Sequence, residues 1–356
     1  MVFQNSIPSL IRCLIIAACI LLSGCSQLGY LVQAARGQLE ITFSREPIDE
    51  VLAGNRAAPE TRERLELVKR IRQFAIEELD LPENSSYTTY SELGRRHVIW
   101  NVVAAPPYDL TLKTWCYPIT GCISYRGYFS KKKAGSYQES LIREGYDTDL
   151  YGVAAYSTLG WLSDPVLDTF LFYPDYALAG LIFHELAHQV LYVKDDSAFN
   201  EAFATAVEQE GVERWMRAEG NTGQIFQYRS AKKKNARIIE LILDYRERLG
   251  NVYENSSERE LAEEKARVLG EMTGAYQSLS ESGSGTRFWD QWFEEGVNNA
   301  RLGGIATYRR LVPAFRAVLS KSESMAMFYK TVADQGKMPI AERHAWLLRQ
   351  MHASDP

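Results

Sequence analysis

The sequence predicts an α+β fold, mainly helical, that carries a small mixed sheet and a long helical hairpin. Three patterns predict it. Apolar residues recur at three and four in several long segments, the spacing of a helix with one buried face. Residues 87–130 change to short apolar runs separated by Pro and Gly, the pattern of strands and turns. Residues 226–281 carry two successive apolar faces on either side of a polar turn, the pattern of a helical hairpin.

Length and charge bound the class. The chain has 356 residues, 46% of them hydrophobic, enough for one large or two modest domains with a real core. A net charge of −5 gives no electrostatic reason for a nucleic-acid partner.

The N-terminus reads apart from the body. Residues 1–12 hold one charge, Arg12, and residues 13–22 are almost wholly apolar. That run is too short to span a bilayer comfortably as an ordinary helix, so residues 1–24 read as a signal peptide. Leu22-Ser23-Gly24-Cys25 resembles the bacterial lipobox, which implies cleavage before Cys25 and acylation of its thiol. The alternative is an uncleaved anchor helix with an incidental Cys. The resemblance implies the bacterial cell envelope, lipid-anchored, with Ser26 favouring the periplasmic face of the outer membrane. Residues 25–57 then form a lipidated Cys and tether, with Leu28, Tyr30, Leu31 and Val32 able to dock.

The elements follow in order. Residues 58–80 read as an amphipathic helix on Leu65, Val68, Ile71 and Ala75, stopped near Leu81-Pro82. Residues 97–105 read as a strand closed by Pro106-Pro107, with further strands at 112–115 and 123–129. Cys116 and Cys122 flank a Pro- and Gly-containing turn. In an oxidising compartment a disulfide is favoured over two free, partly buried thiols. Residues 131–144 read as a helix and 152–159 as a strand. Within it, Tyr156-Ser157-Thr158-Leu159-Gly160 is either a substrate-pairing edge, with Ser157, Thr158 and Gly160 presenting backbone, or an ordinary core strand.

After Pro174 the helical pattern leads into His184-Glu185-Leu186-Ala187-His188. On a helix, residues four apart leave the same face, so both imidazoles can reach one ion. His184 and His188 are therefore candidate ligands of one Zn²⁺, and Glu185 can take a proton from water beside it. The third ligand is expected from the next helix, 198–219, where Glu201 follows the polar turn Lys194-Asp195-Asp196-Ser197. Glu208 lies on the same side as Glu201, and reads more readily as an exposed helix carboxylate than as a support for the site.

Residues 288–351 are again helical, with Trp289, Trp292 and Phe293 for packing. Asn298 and Asn299 either cap a helix, the reading the sequence alone favours, or bind a substrate backbone, with Tyr308 nearby. Tyr276 and Tyr308 are candidates for the donor that a developing oxyanion needs. Lys232-Lys233-Lys234 reads as a solvated face. His97, His344 and His352 read as surface or structural residues.

His184 to Gln189, with Asn200-Glu201-Ala202-Phe203-Ala204 downstream, resembles the gluzincin pattern, and within it the aminopeptidase N-like H-E-L-A-H-Q and N-E-G-F-A motifs. The stretch between His188 and Glu201 is shorter here. With the lipobox, the Cys pair and the 298–315 patch, the chain is similar to a bacterial family of predicted aminopeptidase lipoproteins. The resemblance implies a zincin-like catalytic core over 58–222, fed by the small sheet. It implies that 223–356, the hairpin and C-terminal helices, completes the cleft. The expected activity is zinc-dependent peptide-bond hydrolysis on a peptide substrate, as an aminopeptidase, with an envelope endopeptidase or a non-catalytic zinc-binding lipoprotein adaptor as alternatives.

Overall fold

The structure, a computed structural model, describes residues 29–117, 121–155, 158 and 161–352. The expected signal peptide, Cys25, Ser157 and Gly160 lie outside the described residues. The chain divides into two units, one ending at Arg45 and one from Glu46 onward. In the first, residues 29–43 form helix α1, where a tether was expected. No helix among the described residues is long and apolar enough to cross a membrane.

The second unit begins with β1 (Glu46–Pro47), α2 (Ile48–Ala53) and α3 (Pro59–Leu79). Pro59 sits in the first turn of α3, where its missing N–H costs nothing. Leu65, Val68, Ile71, Ala75 and Leu79 form its buried stripe. Asp80 ends it in the left-handed region at φ 51°. The strands are β2 (Thr89–Ser91), β3 (Ile99–Ala105), β4 (Trp115–Tyr117), β5 (Gly121–Ile123) and β6 (Arg126–Tyr128). After α4 (Lys131–Arg143) come β7 (Asp147–Val153) and β8 (Val166–Leu167).

These strands make three small sheets among the described residues, in place of the single mixed sheet expected. One is mixed: β2 runs antiparallel to β1 and parallel to β8. One is antiparallel, in the order β6-β3-β7, with Asn101 opposite Tyr151. The third is the β4–β5 hairpin, closed by a Cys116–Cys122 disulfide. Residues 112–114, expected as strand, lie outside β4. Strand β7 ends at Val153, so Thr158 sits in a loop rather than an edge strand.

The rest is helical: α5 (Asp168–Leu171), α6 (Asp175–Val190), α7 (Ser197–Ala218), α8 (Thr222–Asn255) and α9 (Leu261–Leu279). A short π turn, Ser280–Ser284, leads to α10 (Arg287–Glu294), α11 (Asn299–Arg309), α12 (Val312–Ser320), α13 (Met325–Gly336) and α14 (Ile340–His352). Helix α6 is apolar on most of its surface and is buried between α3 and α7. Phe183 is fully buried and lies 6.0 Å from Phe74, which itself meets Trp215 edge-on. On the other side of α7, Phe203 packs on Phe315 and Phe328. Each such ring contributes roughly 1.5–3 kcal/mol by leaving water, so α7 is pinned on two faces. The α8–α9 hairpin forms a second core with α10 around Ile238, Ile242, Met272, Tyr276, Trp289 and Phe293.

Candidate metal site

Helices α6 and α7 are joined by a six-residue turn, and Asn200 fastens it. The Asn200 side chain accepts from Val193 N–H at 2.8 Å and donates to Val193 C=O at 2.7 Å. Asp195 turns the chain in the left-handed region at φ 66°, and Asp196 caps α7 by accepting from Phe199 N–H at 3.1 Å. This folds Glu201 back onto the His184–His188 face of α6.

The donor atoms converge. Glu201 Oε2 lies 3.4 Å from His184 Nε2 and 3.8 Å from His188 Nε2. One ligand atom from each of the three residues lies within 4.8 Å of the others. Ligands about 2.0–2.2 Å from a tetrahedral ion stand roughly 3.3–3.6 Å apart, so the spacing fits a cation. His188 is 7% exposed, and its Nδ1 is buried with no hydrogen-bond partner.

The electrostatics favour positive charge at this point. Burial works against a charged His184, but hydrogen bonds to Glu201 and Glu208 outweigh it and push its pKa up to about 10. Burial dominates at His188 and lowers it to about 4, which keeps that ring neutral. Glu201 is held below the usual carboxylate range: burial opposes this, and His188 and His184 prevail. Two carboxylates around one imidazole make a setting in which a cation can replace the proton. Burial raises the neighbouring Glu185 to about 7, against the pull of His184.

The surroundings overturn one expectation, a free Glu208, and add tyrosines the sequence did not single out. Glu208 Oε2 meets His184 Nδ1 at 3.1 Å, so this carboxylate supports the ring instead of standing free on the surface. Tyr125, Tyr151 and Tyr192 all feel the charge of Glu201, though burial is the larger cause of their raised pKa values. The Tyr151 hydroxyl also interacts with Asn101 and with Tyr308. Tyr87, fully buried at φ 60°, feels Glu185. A Tyr in or beside a strand carries no local signal of this role, because only the packing of β7 on α11 and of α11 on α7 reveals it.

Each remaining sequence candidate has a definite place. Tyr308 lies on α11 in the field of Glu201. Tyr276 belongs elsewhere: its hydroxyl donates to Asp290 at 2.6 Å and its ring stacks on Phe293 in the hairpin core. That engagement removes the physical basis for Tyr276 as an oxyanion donor. Asn299 is fully buried; its amide donates to the carbonyls of Pro106, Pro107 and Asp109 and accepts from the Tyr253 hydroxyl. With those groups occupied it fastens the segment after β3 and has none left for a substrate, while Asn298 caps α11. Thr158 bonds Asp164 through both its N–H and its hydroxyl. Asp164 in turn accepts from Gln189 at the end of α6. His344 binds Asp196 at 2.8 Å, a structural contact at the start of α7.

Fold and site together define a mainly helical α+β protein whose His184, His188 and Glu201 form a cluster compatible with a metal ion. The chain belongs to the family described as "Putative aminopeptidase", which matches residues 29–347. That description suggests a peptidase of the hydrolase class. No curated protein and no solved structure matches the chain.

Proposed function

We propose that this protein is a zinc-dependent aminopeptidase. The observation that carries the reading is the convergence of His184 Nε2, His188 Nε2 and Glu201 Oε2, with the buried Glu185 beside them. Two imidazoles and one carboxylate are the donor set of a catalytic zinc site that keeps a position open. When bound, zinc supplies a Lewis acid that polarises a carbonyl and makes water more acidic.

The chain's own residues supply the rest. Glu185 orients a water molecule, takes its proton as the oxygen attacks the scissile carbonyl, and returns that proton to the departing amine. Tyr308 offers a hydroxyl to the developing oxyanion, steadied from behind by Tyr151. A purely structural metal site has no use for a base such as Glu185, which disfavours the adaptor reading.

The test is metal analysis of the purified chain paired with peptide-library cleavage. One zinc per chain is expected, with residues released singly from the N-terminus; internal cleavage would make it an endopeptidase. Glu185→Gln should keep the zinc and lose about 10²–10⁴-fold in kcat. Tyr308→Phe should lose about 10²–10³-fold. Normal turnover by Glu185→Gln would sink the mechanism.

A further inference from the structure

A cleft of about 590 Å³ lies between the 110–114 segment, the β5 end of the disulfide hairpin, and helices α8, α11 and α14. Two arginines line it, Arg246 from α8 and Arg310 from the end of α11. Neither has a carboxylate partner among the described residues. Arg246 Nη2 donates to Leu110 C=O at 3.1 Å, but its Nε is buried with no hydrogen-bond partner. Arg310 is exposed, and its guanidinium has no ion pair among the described residues.

Two buried arginines elsewhere in the described residues do reach carboxylates. Arg301 reaches Glu295 at 2.9 Å, and Arg343 reaches Asp196 at 3.1 Å. In the cleft the acids are already committed. Asp196 is held by Arg343 and His344, and Asp195 accepts from Cys122 N–H at 2.6 Å. Asp109 accepts from Thr111 N–H at 2.7 Å and is not within ion-pair distance of Arg246. Burial first, and then the charge of Arg310, holds the Arg246 pKa below its ordinary value. Thr114 and Ser124 also line the cleft.

We propose that this cleft binds the phosphate group of a small phosphomonoester, held between Arg246 and Arg310. Two neighbouring guanidiniums repel each other until an anion lies between them. A phosphomonoester carries about −1.5 to −2 charges at neutral pH and offers several acceptor oxygens, which suits two planar donor forks and nearby hydroxyls. The cleft exceeds the volume of phosphate itself and leaves room for an organic remainder. A soluble ester and a phosphatidate headgroup present the same chemistry.

The experiment is calorimetric titration of the full chain at fixed ionic strength, first with inorganic phosphate and then with glycerol 3-phosphate. Saturable one-site binding with Kd of about 1 mM or below is expected. Arg310→Gln, an exposed change that leaves the core intact, should weaken it about tenfold or more, the loss of a charge-assisted hydrogen bond. Arg246→Gln should do the same. Sedimentation with phosphatidate-doped vesicles separates the sources. Arg310-dependent vesicle binding assigns the headgroup; glycerol 3-phosphate binding without it assigns a soluble ester. Absence of saturable phosphate binding, or binding that Arg310→Gln leaves unchanged, overturns the proposal.

Discussion

Glu208 and Glu201 approach the two nitrogens of one ring: Glu208 Oε2 meets His184 Nδ1 at 3.1 Å, and Glu201 Oε2 faces Nε2 at 3.4 Å. A proton kept on Nδ1 by Glu208 leaves Nε2 free to donate its lone pair to a cation, and holds the ring in plane to do so. On the proposed reading Glu208 is therefore a positioning residue. Glu208→Ala should weaken zinc binding about 10–100-fold, with Glu208→Gln recovering part, since its amide oxygen still accepts from Nδ1. Competition with a chromophoric chelator reads this directly, and equal affinities in all three proteins would remove the role. His184, Glu185 and His188 were legible in sequence because helical spacing alone puts the two rings together. Glu201 was legible because a short polar turn returns the next helix. Glu208 was visible as a position on the correct side of α7, yet its contact depends on how closely α6 approaches. Tyr125 lies in the connection between β5 and β6 and Tyr151 in β7, and nothing local says which of their neighbours meets a helix.

At the scale of elements, the approach of α6 to α7 depends on small residues. A Cβ at Gly211 on α7 would stand 2.6 Å from Phe183 Cδ2 and 2.7 Å from Leu79 Cδ1. Leu79 can rotate, but the Phe183 ring is fully buried one residue before His184 and has nowhere to go. Gly211→Val should destabilise the fold by about 1–3 kcal/mol, the usual cost of overpacking. That corresponds to a melting temperature lower by roughly 1–4 °C in a chain of this size. Thermal unfolding followed by circular dichroism checks it; an unchanged melting curve would mean that the helices separate freely. The disulfide hairpin grips the same pair from outside. Gly121, at φ 73°, lies against the α6–α7 turn so closely that a Cβ would collide with the Asp195 carboxylate, and Cys122 N–H donates to that carboxylate. The helices were readable from periodicity because each buries a stripe. The sheets were not: β2 and β8 pair in parallel although far apart in sequence, and two-residue strands leave no period to read.

Across the whole molecule, α7 is tied to its neighbours by charge as well as by aromatic packing. Glu210 takes Arg214 at 2.9 Å and Arg316 of α12 at 2.8 Å. Glu213 takes Arg229 at 2.8 Å and Lys232 at 3.4 Å, both from α8. Burial would raise both carboxyl pKa values, but the hydrogen bonds and charges of these partners prevail and lower them. Lys232 moves the other way, lowered by burial and then by Arg316 despite Glu213. It is fully protonated in acid whether folded or unfolded, so it leaves the acid limb untouched. The consequence has a definite sign. A carboxyl whose pKa is lower in the folded chain stabilises it fully above the unfolded value, about 4.3, and loses that contribution as pH falls through the folded value. Stability should therefore fall in acid as α7 loses its hold on α8 and α12. In Glu210→Gln/Glu213→Gln the neutral amides have nothing to titrate, so the double variant should start less stable at pH 7 and lose less on acidification. Urea unfolding at a series of pH values from 7 to about 3 measures both limbs. Parallel acid limbs in the two proteins would show that these ion pairs do not set the acid stability of the fold.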